Sequence, residues 1–131
     1  PLDYHKKVQA RPTIDWILKN TAEDSVFFVK NLDSFLVRVY ANRAVFADHA
    51  FPFNESDITE FSERYAIYRK SKKYTPSDYA CLRKHYDIDY LILPKNEGFN
   101  EYVSLFSNDA VLIYDITSFH TNGYCAHLPE S

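Results

Sequence analysis

The chain predicts an α/β domain on a mainly parallel sheet of about five strands, ending in an antiparallel hairpin. Three observations predict it. Residues 25–30 (SVFFVK), 43–48 (RAVFAD) and 88–94 (IDYLILP) are short apolar runs, rich in β-branched and aromatic residues, as in strands buried on both faces. Stretches with apolar residues at helical spacing alternate with them. Two more strand-like runs, 102–107 and 110–115, flank Asn108-Asp109, a two-residue hairpin turn.

Residues 1–12 are polar and mixed in charge and read as a lead-in. Pro12-Thr13 then opens a helix with Ile14, Ile17 and Leu18 on one face and Trp16 on its flank. The polar stretch 20–24 stops it before the first strand. Residues 32–40 fit a helix of about two turns, and 43–48 the second strand. Pro52 makes 50–54 a loop. A longer helix over 56–71 carries the stripe Ile58, Phe61, Tyr65 and Tyr68. Thr75-Pro76-Ser77-Asp78 places an N-cap, a proline at the first helical position and an acid three residues after the cap. The helix it starts shows Tyr79, Leu82 and Tyr86 on one face and ends near Asp87. The third strand and the hairpin follow, with a helix over 99–106 as the competing reading of Phe99, Tyr102, Val103 and Phe106. Right-handed crossovers and helices on both faces then give a three-layer, Rossmann-like arrangement over 13–117, with 118–131 as a C-terminal tail.

Composition excludes several functions. Of 131 residues 46% are apolar, so the chain can bury a core without metal or disulfide staples. A net charge of −3 removes the general electrostatic case for nucleic acid. The chain has two glycines, Gly98 and Gly123, too far apart for a dinucleotide-binding turn or a phosphate loop. No apolar run approaches the ~20 residues of a membrane span, and no signal peptide is visible. The chain opens on Pro1 and contains no Met, as expected of a processed chain or a piece of a longer one. Cys81 and Cys125 fit either two small buried side chains or a disulfide, which requires an oxidising compartment. Asn54-Glu55-Ser56 is formally a glycosylation sequon and carries no weight without a secreted eukaryotic source.

The order of motifs resembles a known family. Residues 16–26, from Trp16 through Asn20-Thr21 and Asp24 to Val26, resemble the W-I-x-x-N-T-P-x-D-A-V opening of a recurrent bacterial domain. That domain is the C-terminal extracytoplasmic part of polytopic membrane proteins. The parents resemble lipid-phosphosugar-dependent glycosyltransferases, including oligosaccharyltransferase catalytic subunits and protein mannosyltransferases. Arg43 to Asp48 is similar to their R-x-x-x-x-D strand, and Phe51-Pro52-Phe53 with Glu60, Phe61 and Arg64 to an F-P-F…E-W-x-x-R stretch. Asp89-Tyr90 to Pro94 is similar to D-Y-x-x-x-P, and residues 107–114 resemble the closing hairpin. The resemblance covers about residues 13–116. It departs at Asn31-Leu32-Asp33-Ser34-Phe35, where oligosaccharyltransferases carry W-W-D: Asp33 is in place, but both tryptophans and the usual following glycine are absent. This argues against peptide-acceptor recognition in that style. The family's metal- and lipid-phosphate-binding acids lie in membrane-proximal loops, so the resemblance implies no catalysis in this segment and no cofactor.

Ligands in parallel sheets usually meet the carboxyl ends of strands. Those ends offer Lys30, Asn31 and Asp33; Asp48 and His49; and Lys95 and Asn96. Asp33, Asp48, His49 and Lys95 are therefore the candidate ligand-binding residues, an acid–His pair beside a lysine being suited to acid–base work or to holding a sugar or phosphate. On the long helix, Arg64 can reach Glu60 one turn back, with Glu63 alongside, as a surface ion pair. Arg69, Lys70, Lys72 and Lys73 form the basic cluster, either solvated charge at a helix C-terminus or a contact for anionic lipid headgroups. His120, Cys125 and His127 are too few, in a terminal tail, to assign a metal.

The expectation is a non-catalytic accessory domain, extracytoplasmic (periplasmic or cell-surface), in a glycosyltransferase-like membrane protein. Its partners would be the membrane-embedded part of the same chain and a glycan or peptide acceptor, with no nucleic acid. The alternative is a small free-standing α/β enzyme using Asp48, His49 and Asp33.

Overall fold

The computed structural model describes residues 4–30, 36–47, 55–121 and 125. The apolar runs form strands β1 (Val26–Val29), β2 (Ala44–Val45) and β3 (Tyr90–Pro94), and the hairpin forms β4 (Phe106–Ser107) and β5 (Val111–Asp115). Their order in the sheet is β2-β1-β3-β5-β4. β1 pairs in parallel with β2 and β3, while β5 runs antiparallel to β3 and to β4. The fold is mixed α/β with a mixed sheet, parallel at one side and antiparallel at the other.

Successive strand residues go to opposite faces. Phe28, Leu91, Leu93, Leu112 and Tyr114 join one apolar cluster, while Phe27, Val29, Ile92, Val111 and Ile113 join another. The first cluster also takes Ile67 and Tyr68 from α2 (Glu55–Lys70) and Tyr79, Ala80 and Leu82 from α3 (Pro76–His85). The second takes Ile14 and Ile17 from α1 (Tyr4–Asn20). Much of the aromatic content sits in the first cluster, where Phe28 meets Phe46, Tyr68 and Tyr79 at centroid distances of 5.3, 5.7 and 5.4 Å. Gly98 fits there because a Cβ would collide with the Leu112 side chain.

Several expectations are revised. The helix placed at Pro12 begins at Tyr4, so Pro12 lies inside it; proline removes one hydrogen bond, and the polar residues upstream still wind. Its end is as expected, with Asn20 Nδ2 and Thr21 Oγ1 donating to Trp16 O and Ile17 O at 2.9 and 2.7 Å. Of the helix over 32–40, the described part is a π-helical turn, Leu36–Tyr40, closed by Ala41 N to Leu36 O at 3.1 Å. The second strand is two residues long, and Arg43, expected within it, precedes it with its guanidinium turned to Thr21 at the end of α1. Asn42, with φ 51°, makes the left-handed bend before it, a conformation asparagine tolerates. The helix over 99–106 does not form: Phe99 and Tyr102 pack on the first cluster, while Val103 is 93% exposed. Asn108 turns the hairpin, its Oδ1 accepting from Ala110 N and Val111 N at 2.9 and 2.8 Å.

Candidate functional site

The two edges of the sheet differ in character. At the carboxyl edge, Lys30 follows β1 and is buried, with Nζ 3.3 Å from Glu97 Oε1. Lys95 follows β3, is exposed, and donates through Nζ to Ser107 Oγ. Asp33, Asp48, His49 and Asn31 lie outside the described residues, as do Asn54 and His127. Of the candidates at this edge, Lys30 and Lys95 are thus each engaged in a bond to another strand-end or loop residue, and Asn96 is exposed.

At the amino edge there is an open cleft of about 500 Å³. It is built by chain geometry. Asp24 precedes β1, Asp87 and Asp89 precede β3, and Asp115 closes β5, which reaches the same edge because it runs antiparallel. Arg83, from the last turn of α3, and Thr117 complete the polar lining. Asp89 Oδ2 accepts from Val26 N at 2.9 Å, and Asp115 Oδ1 accepts from Thr117 N at 2.9 Å. These bonds fix both carboxylates and leave one oxygen of each without a hydrogen bond among the described residues. Tyr90 also lines the cleft; burial, with the negative charges of Asp115 and Asp89 beside it, raises its phenol above the ordinary value. Its hydroxyl therefore stays a donor. The cleft offers fixed acceptors, a guanidinium donor, a phenol donor and an aromatic ring, which suits a polar, hydroxyl-rich ligand.

Sequence reasoning missed this cleft by looking at the carboxyl ends. The available signal was positional: three of its acids stand just before parallel strands, and the fourth ends the antiparallel one.

The motif residues that carry the family resemblance have structural partners. Arg43, 5% exposed, donates Nε to Thr21 Oγ1 and Nη2 to Thr21 O, both at 3.0 Å, and Nη1 to Ala41 O at 3.1 Å. The Asn20-Thr21 end of α1 is thereby tied to the start of β2, as Asp89 ties β3 to β1.

Other candidates resolve as follows. Arg64 stacks over the rings of Phe46 and Tyr86 at 5.2 and 5.4 Å, a cation–π site, and donates to Phe46 O. Glu63 accepts from Tyr86 Oη at 2.7 Å, which joins α2 to α3; the Glu60 side chain, and with it the expected Arg64–Glu60 pair, lies outside the described residues. Cys125 is bonded to Cys81, which decides between the two readings of the cysteines and removes Cys125 as a metal ligand. His120 is exposed, and its backbone N donates to Tyr102 Oη at 3.0 Å. Among the described residues no group of three or more His, Cys, Asp or Glu is placed to hold a metal, and no helix is long and apolar enough to cross a membrane.

Among the described residues the buried phenols of Tyr74 and Tyr79 find no hydrogen-bond partner. Burial raises both, with Asp78 adding to the effect at Tyr74, which is pushed up to about 12. Ser71 lies close enough to Tyr79 to oppose this slightly, but its hydrogen goes to Tyr68 O at 2.6 Å, and burial dominates.

Compared with family models, curated proteins and solved structures, the chain matches none.

Proposed function

We propose that this chain is a non-catalytic binding module, the extracytoplasmic accessory domain of a glycosyltransferase-like membrane protein, whose amino-edge cleft holds a glycan or acceptor. The observation that carries the reading is the cleft, with Asp89 and Asp115 locked by backbone N–H groups and each keeping one acceptor oxygen. Carboxylates so fixed accept hydrogen bonds from ligand hydroxyls without reorganising, while Arg83 and the Tyr90 phenol donate. Further support comes from Thr21 and Arg43: where the chain resembles the family, these polar residues brace the sheet. The Cys81–Cys125 disulfide fits an oxidising compartment outside the cytoplasm. Apolar clusters on both faces of the sheet support the Rossmann-like, three-layer description.

The test is calorimetric titration with a panel of short, uncharged oligosaccharides, alongside an assay for turnover of each. The reading expects saturable binding, weakened by Asp87→Asn or Arg83→Gln, and no turnover. Turnover of any ligand, or binding untouched by both substitutions, would contradict it.

A further inference from the structure

The basic cluster is not absorbed by the cleft, and its geometry is more specific than a solvated helix end. Arg69 and Lys70 close α2, and Lys72 and Lys73 lie in the single 3₁₀ turn that follows, Ser71–Lys73. All four side chains are exposed. Between and after them Ser71 and Tyr74 are buried, Ser71 Oγ donates to Tyr68 O, and Tyr74 N donates to Ser71 O at 3.0 Å. The turn is thus pinned to the core and holds its cations outward. No ion pair or hydrogen bond neutralises any of the four side chains among the described residues. The nearest acid in sequence, Asp78, is engaged in the capping box of α3.

Position adds to this. α3 leads down to the start of β3, so the turn before it lies at the carboxyl edge, where Lys95 is also exposed. Thr13 Oγ1 accepts from Asn108 Nδ2 at this same edge, so the stretch of α1 from Tyr4 to Pro12 overhangs it by about 12 Å. The acids of the cleft stand at the opposite edge. Two exposed acids, Glu101 and Asp109, lie in loops on the β4–β5 side, and Glu97 is paired with Lys30. Among the described residues the exposed cations of the turn thus stand apart from the acids of the cleft, a separation that orients the molecule in the field of an anionic surface.

We propose that Arg69, Lys70, Lys72 and Lys73 dock this domain on the headgroups of an anionic lipid bilayer, carboxyl edge down, leaving the cleft open on the far side. A bilayer is favoured over nucleic acid because no aromatic residue stands among the four cations on which a base could stack. The docking does not depend on the cleft's ligand, so the two proposals fail separately.

The experiment is co-sedimentation of the disulfide-bonded chain with vesicles of phosphatidylcholine, alone or with about 30% phosphatidylglycerol, at low and high salt. The proposal expects binding to the anionic vesicles, loss at high salt, and none on the neutral ones. Lys72→Gln and Lys73→Gln should each weaken partitioning about fivefold. Lys84→Gln, alone or with His85→Gln, exposed at the other end of α3, should leave it nearly unchanged. Equal partitioning to both vesicles, none to either, equal loss in the α3 controls, or tighter binding to a single-stranded oligonucleotide would overturn it. Circular dichroism of each variant establishes that surface changes have left the fold intact.

Discussion

At the scale of single residues, the polar side chains that look most like functional signatures are braces. Arg43 is a buried cation whose donors meet, among the described residues, the neutral oxygens of Thr21, Ala41 and Asn42. Arg43→Ala would leave those oxygens short of partners, and charged hydrogen bonds are the costly ones to lose. We expect it to lower stability by about 2–4 kcal/mol in urea unfolding. Tyr79 is the reverse case. Its hydroxyl is buried and has no hydrogen-bond partner among the described residues, so Tyr79→Phe should be neutral or stabilise by up to ~1 kcal/mol. A clear loss would mean that the hydroxyl has a partner. Arg43 was legible in the sequence as a motif position but not as a brace, because its partner Thr21 is set by the packing of α1 on the sheet.

At the scale of elements, local chemistry was readable and long-range chemistry was not. Thr75 receives the Asp78 N–H, and Asp78 Oδ2 accepts from Thr75 N at 2.8 Å, the reciprocal box expected from Thr75-Pro76-Ser77-Asp78. Thr75→Ala should cost about 1 kcal/mol of stability, measured by thermal unfolding; a change within error would show that packing of Tyr79 and Leu82 alone holds α3. The hairpin was legible near Asn108, since the side chain and the turn are neighbours, although the two turn residues are Asp109-Ala110, one position later than expected. The start of α1 and the shortness of β2 were not. No apolar periodicity marks the helix upstream of Pro12, and what holds Arg43, the residue before β2, is the distant Thr21.

At the scale of the whole molecule, the disulfide joins α3 to the tail across 44 residues. Closing a loop of that length stabilises by about 4 kcal/mol in the chain-entropy account. Reduction, or Cys125→Ser, should therefore lower the midpoint of urea unfolding by a corresponding amount; an unchanged midpoint would contradict the bond's role. Stability should also fall in alkali. Burial favours the neutral phenols of Tyr74 and Tyr79, so the folded state keeps protons that the unfolded chain releases near pH 10. The unfolded state then binds fewer protons, and the sign of the linkage makes stability decline from about pH 10 towards 12, with little change just below that window. Tyr79→Phe should flatten the decline, as read by unfolding midpoints against pH.

The sheet's parallel start and antiparallel close were legible from run lengths and turn residues, but the edge that opens was not. The rule that ligands meet strand carboxyl ends points to Asp33, Asp48, His49 and Lys95; Lys95 is bonded across that edge, and the other three lie outside the described residues. The antiparallel β5 instead brings Asp115 to the amino edge, beside Asp89 and Asp87. The most direct test of the central claim, a binding module working through that cleft, is amide chemical-shift mapping while a bound oligosaccharide is titrated. The account predicts shifts concentrated at Asp24, Arg83, Asp87, Tyr90 and Thr117, with the amides of Lys30 and Lys95 unmoved. Shifts concentrated at Lys30 and Lys95 would contradict it.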